Sequence, residues 1–184
     1  MASAVEQLAG NLNLGAFSKA TELKQRIWFT LLALMVYRLA TYIPLPGIDP
    51  VALEQMFTQN QGGILGMLDL FNGGAIQRMS LIALGIMPYI SSSIIMQLMT
   101  SISTSMKELK KEGEAGRRKI NQYTRYGTVL LCIVQAYAIA TGLETNIAIE
   151  PGMFFRLTTV ITLVGGTMFL VWLGEQITAR GVGN

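Results

Sequence analysis

The sequence contains no histidine and a single cysteine, Cys132, set inside an apolar run. These absences exclude an intrachain disulfide, a Cys/His metal site and catalysis by a histidine base. Charge is also scarce. Asp, Glu, Lys and Arg make up 14% of the chain, against about 25% in an average soluble domain. The net charge of +3 is too small to argue for nucleic acid by itself, so the distribution of charge carries the information. Residues 44–74 hold Asp49, Glu54 and Asp69 but no lysine or arginine, and residues 144–152 hold only Glu144 and Glu150.

Apolar residues, by contrast, make up 51% of the chain, and the mean hydropathy is +0.44. That is the composition of an integral membrane protein. Four stretches, 27–43, 75–100, 126–143 and 154–177, are long enough to cross a hydrocarbon core of roughly 30 Å. A soluble helical bundle would carry polar faces that these runs lack. The connection 101–125 is the opposite in character: "KELKKEGEAGRRKINQYTR" carries Lys107, Lys110, Lys111, Arg117, Arg118, Lys119 and Arg125. The positive-inside rule puts it in the cytoplasm. The 1–26 segment and the 178–184 end then lie on the same side, with 44–74 and 144–153 as external loops. Lys19, Lys24 and Arg26 lead into a long span with no A-x-A-like exit, so no cleavable signal is expected. Leu8, Leu12 and Phe17 suit either a weak interfacial helix or a polar tail.

Residues 62–75 read "GGILGMLDLFNGGA", with six large apolar side chains and one carboxylate between two glycine pairs. A helix over 64–72 would be only about 14 Å long, too short to span. Yet Ile64, Leu65, Met67, Leu68, Leu70 and Phe71 cover nearly every side of it, leaving Asp69 almost alone as a polar position. Some part of the protein has to receive such a surface.

The second span holds "LGIMPYISSSIIMQL". Pro88 is expected to bend it. Ser91, Ser92, Ser93 and Gln97 either bond to neighbouring helices or face water. Ile86 and Ile90 are one turn apart, and Ile94 continues the row. A half-length helix, a glycine hinge and a full-length helix form an interrupted pattern, tolerated at membrane depth where it lines a cavity. Thr162 and Gly166 in the fourth span have small-xxx-small spacing, which admits a close neighbour. Arg38, Arg78 and Arg156 fall near the outer helix ends, as snorkelling anchors or as the lining of a wet vestibule. "KKEGEAGRRK" lacks the GxxxxGK[ST] phosphate pattern, which leaves a solvated basic turn or a docking site for a cytosolic partner.

Five phrases, "IPLPGID", "LFNGGA", "LGIMPYISSSIIMQL", "KKEGEAGRRKINQYTRYGT" and "GTMFLVWLGEQITARGVGN", occur in that order. In this order they resemble the SecY family of bacterial protein-conducting channels, over residues 17–184. The resemblance implies an all-α integral membrane fold in which these four transmembrane helices and a short plug helix (62–74) form the N-terminal part of a ten-helix inverted-repeat channel. In that family the pore can also open sideways into lipid. The resemblance makes Ile64, Leu65, Met67, Leu68, Leu70 and Phe71 the plug, with Gly73 and Gly74 as its hinge. Ile86 and Ile90 become part of the pore ring, and Ser91, Ile94, Gln97 and Gln135 part of the lateral gate. Lys110, Lys111, Arg117, Arg118 and Lys119 form the cytoplasmic basic loop.

The implied function is passage of unfolded polypeptide across, and release of membrane segments into, the bacterial inner membrane, with no cofactor, no metal and no covalent chemistry. The implied partners are the remaining SecY helices, SecE, SecG, the SecA motor, the ribosome, signal sequences, nascent polypeptides and membrane lipid, with no nucleic-acid specificity beyond ribosome docking. "GVGN" falls where the family's fifth helix begins, so the remaining helices belong to a longer polypeptide or to a separate chain. Two other classes suit these residues less well. A four-helix scaffold or small-solute transporter half leaves the glycine-bounded short helix without a use. A membrane enzyme would lack histidine and has few carboxylates at depth.

Overall fold

The computed structural model describes residues 20–59 and 64–183, so Leu8, Leu12, Phe17 and the first glycine pair, Gly62 and Gly63, lie outside it. Among the described residues there are seven helices: α1 Thr21–Ala40, α2 Pro50–Gln59, α3 Ile64–Phe71, α4 Met87–Ile102, α5 Thr104–Lys111, α6 Glu114–Glu144 and α7 Met153–Arg180. Extended pairing among these residues is confined to two isolated bridges, Pro44 with Ser80 and Ile48 with Ala148. Two helices, α6 and α7, are long and apolar enough to cross a membrane. The twenty residues of α1 are mostly apolar but include Lys24, Arg26 and Arg38.

The described chain forms two compact units, one from residues up to 36 together with those from 173 onward, the other from 37–172. In the first, the Thr30 hydroxyl donates back to the Arg26 carbonyl (2.9 Å) and accepts from the Val182 amide (2.9 Å).

The second unit is organised around a seam of small residues on α6. Thr124, Thr128, Cys132, Ala136 and Ala140 recur every four residues and are all buried. Small side chains let neighbouring backbones approach, and in lipid such contact supplies the attraction between helices. The Ser92 hydroxyl of α4 donates to the Thr124 carbonyl at 2.7 Å. Its oxygen lies 2.5 Å from where a side chain on Gly127 would begin. Ser92 is therefore packing glue between α4 and α6.

One end of α6 and α7 is covered by residues 44–59. Leu45 and Leu53 join Met79, Ala136, Leu143, Ile147, Phe155 and Leu163 in one apolar cluster. Asp49 places α2 there: its carboxylate accepts from the Val51 amide (2.9 Å), and Pro50 occupies the first helical position, where a missing N–H costs nothing.

The second span departs from a helix over 75–100. Residues 72–86 are consecutive turns, and regular helix begins only at Met87. Positive φ at Met79 (43°) and Gly85 (59°) breaks any continuous helix. The amides are satisfied across the chain instead, Leu81 donating to the Ile43 carbonyl and Leu45 to the Met79 carbonyl, as burial of backbone polar groups demands. Pro88 does not bend α4. It sits in the first turn, where proline is compatible with the helix.

The 101–125 connection is also more ordered than a loop. It is helical through α5 and the start of α6, interrupted at Glu112 and Gly113, where Gly113 has φ 75°. Lysine, glutamate and arginine are good helix formers, so high charge marked solvent exposure here and not coil.

Candidate functional site

The short apolar segment is helical over Ile64–Phe71, about 12 Å long. The side chains of Ile64, Leu65, Leu68 and Phe71 lie outside the described set. Met67 and Leu70 are 66% and 83% exposed, so within this chain neither finds the apolar receiver the sequence calls for. Gly73 (φ 62°) and Gly74 (φ 82°) follow it, in a region L-residues with a side chain rarely enter.

The turn that carries this glycine pair is bonded to its surroundings. Arg38 donates to the Gly73 carbonyl (2.9 Å), and Tyr37 donates to the Asn72 carbonyl (3.3 Å). The Asn72 side-chain amide donates to the Ala83 carbonyl (3.4 Å). Asn72 also fills the space above Gly85, its Oδ1 lying 2.6 Å from where a β-carbon would sit. The Asp69 carboxylate accepts from the amides of Ile76 and Gln77. None of these partners was evident from the sequence. An Asp or Asn flanking a glycine turn was the available signal, because their side chains bond to nearby backbone.

Arg38 and Arg78 flank the ring of Tyr42, at 5.4 and 4.3 Å from its centre. Such stacking places a cation against a π-face, and Gly74 lies against Arg78. Arg156 pairs with Glu144 and donates to the Tyr137 hydroxyl (3.4 Å). All three arginines therefore make contacts within the protein.

Ile86 caps the start of α4, and Ile90 and Ile94 follow at one-turn intervals on one face. They are 48%, 40% and 53% exposed, so the face they form is open in this chain. Gln97 is exposed, seven residues after Ile90, while Ser91 and Gln135 are half-buried. The row and Gln97 share a helix. Gln135 stands on α6 beside the buried seam residue Ala136.

Lys110, Lys111, Arg117, Arg118 and Lys119 are exposed on the α5–α6 hairpin, and Lys119 approaches Glu112 at 3.8 Å. A cavity of about 320 Å³ opens between α4, α5 and α6, lined by Gln97, Thr100, Lys110, Arg117 and Asn121 among others. The hairpin closes over Gly116, where an added β-carbon would lie 1.6 Å from the Leu109 carbonyl oxygen. Gly116→Ala should therefore push α5 away from α6. Limited trypsin digestion of the accessible face should then cut after Lys110 or Lys111 several-fold faster than in the unsubstituted protein, while α4 stays on α6. An unchanged digestion rate would show that the hairpin does not depend on this approach.

The SecY family model matches residues 80–184. Over 165 residues the chain is 56% identical to the protein translocase subunit SecY of Pseudomonas aeruginosa, covering 89% of this chain and 37% of that protein. It is 54% identical over 168 residues to the same subunit of Escherichia coli K12 (89% and 38%). With the Rickettsia conorii subunit it shares 56% over 176 residues (91% and 41%). The chain thus spans under half the length of these relatives. Among solved structures it resembles Sec61 in the canine ribosome-channel complex from the endoplasmic reticulum, at TM-score 0.60 and 19% identity, covering 88% of this chain and 34% of that one. A second, described as a protein conducting channel, matches with the same values. A third concerns the plug domain of a SecY protein, at TM-score 0.56 and 20% identity, covering 88% and 33%. The helical fold agrees with those structures, and the family model, matching more than half of the chain, settles kinship: this chain belongs to the SecY family.

Proposed function

We propose that the chain is the N-terminal part of the central channel subunit of a Sec protein translocase. It contributes four spans (27–43, 75–100, 126–143, 154–177) to a channel that conducts unfolded polypeptide and releases apolar segments sideways into lipid. The basic α5–α6 hairpin faces the cytoplasm of a bacterial inner membrane with both ends of the chain, and the α2 and α3 region faces outward. The remaining SecY helices complete the pore. SecE, SecG, the SecA motor, the ribosome, signal sequences and nascent chains are its partners, and no covalent step is assigned to it.

In this reading α3 is the plug. Ile86 and Ile90 belong to the constriction, and Ser91, Ile94, Gln97 and Gln135 belong to the gate. The observation that carries it is the juxtaposition in sequence and fold of α3, too short to span, a bonded glycine turn and an exposed isoleucine row, in a chain more than half identical to translocase subunits. A hydrophobic constriction excludes ions by dewetting, and aliphatic side chains can yield to a passing polypeptide.

Removing residues 64–71 from a full-length channel that carries this sequence tests the reading. Resting ion conductance in planar bilayers should rise, with export of a secreted precursor reduced far less. Loss of export at unchanged conductance would make α3 a structural strut.

A further inference from the structure

The root of α3 holds two sets of bonds that differ in which side of a moving helix they belong to. Tyr37 and Arg38 hold the carbonyls of Asn72 and Gly73, and the Asn72 side chain is bonded to Ala83. All of these contacts begin after α3 has ended at Phe71. Asp69 lies within α3. One of its carboxylate oxygens accepts from the amides of Ile76 (3.0 Å) and Gln77 (2.9 Å), and its carbonyl accepts from the Gly74 amide (3.0 Å). The Ile76 and Gln77 amides lie within the 72–86 turns, and Asp69 serves them as a capping residue serves a helix start, with the added strength of a charged acceptor.

With Asn72 and Gly73 held, the glycine pair sits on the stationary side, and any swing of α3 has to bend the chain between Asp69 and Asn72. That swing breaks the Asp69 bonds and can spare the others. We infer that Asp69 is the latch that positions the resting seal, with Tyr37, Arg38 and Asn72 as its fixed mount. The inference rests on the proposed role of α3 as a plug, and goes beyond it by naming the contact whose rupture releases the plug.

The test uses Asp69→Ala and Asp69→Asn in a full-length channel carrying this sequence, with Asp49→Ala as a control that removes a comparable cap on α2. Resting conductance is measured in planar bilayers, and a Leu70→Cys background reports α3 exposure by its labelling rate with an impermeant maleimide. Asp69→Ala should raise both by at least about tenfold, the factor set by loss of one hydrogen bond to a charged group. Asp69→Asn, which keeps the shape and a neutral acceptor, should fall between it and the parent. Asp49→Ala should leave both unchanged. If deleting 64–71 raises conductance while Asp69→Ala does not, the plug reading stands and the latch is wrong. Equal effects of Asp69→Ala and Asp49→Ala would also overturn it, since any weakened cap would then do. If the deletion itself leaves conductance unchanged, the plug reading falls and takes the latch with it.

Discussion

Gly166→Leu should leave a full-length channel unable to reach a protease-resistant fold, whereas Gly165→Ala, one residue earlier, should be tolerated. A β-carbon on Gly166 would lie 1.9 Å from the carbonyl oxygen of Leu81 and 2.7 Å from its carbon, while one on Gly165 meets nothing within 4 Å. The obstacle at Gly166 is backbone, so no rotamer change relieves it. Either α7 or the 75–86 turns must retreat, which opens the cluster of Ala40, Ala75, Ile82 and Leu170. Overpacking a well-filled site usually costs about 1–3 kcal/mol; displacing two main-chain segments should exceed that. Gly166→Ala should be intermediate, and Gly165→Ala neutral or slightly favourable through helix propensity. Thermal unfolding in detergent and the protease-resistant fraction measure the series. Equal behaviour of the two alanine variants would show that the turns are not seated on α7.

The same contact shows how far the sequence could be read. Gly166 was recognisable as a place of close approach from its spacing with Thr162, but the visitor is a turn and not a helix. Residues 75–86 are as apolar as a helix would be, and apolar content cannot tell a buried helix from a buried run of turns. Gly85 was the visible warning, and the bonds that make the turns possible come from Ile43 and Leu45, more than thirty residues away. The ends of α7 followed closely from its apolar run because nothing inside it competes with helix. The length of α3 was legible for the converse reason, being bounded by glycine. The α2 helix was missed although Asp49 and Pro50 announce its start. Asp69 was visible as an odd carboxylate in an oily helix, but its partners, Ile76 and Gln77, are amides, which the sequence does not distinguish from any others.

Ile86→Asn combined with Ile90→Asn should raise the resting conductance of a full-length channel, with a smaller effect from either change alone. Both side chains are 40–48% exposed, so the asparagines meet no packed wall and the fold should survive; Ser92, which holds α4 to α6, points elsewhere and stays bonded to Thr124. In the proposed channel this face meets the pore, where a ring of aliphatic side chains keeps a narrow neck dry. An amide brings donors and acceptors that hold water in that neck, and two on adjacent turns of one helix can support a continuous file. The expected order is double variant, then Ile90→Asn or Ile86→Asn, then parent. Ile94→Asn, one turn further along and assigned to the gate, should change conductance less and sideways release of an apolar segment more. Cysteines at 86 and 90 should crosslink to a translocating polypeptide arrested in the channel. If they react only with probes dissolved in lipid, this face of α4 looks out on the bilayer and the constriction has to be built from other residues.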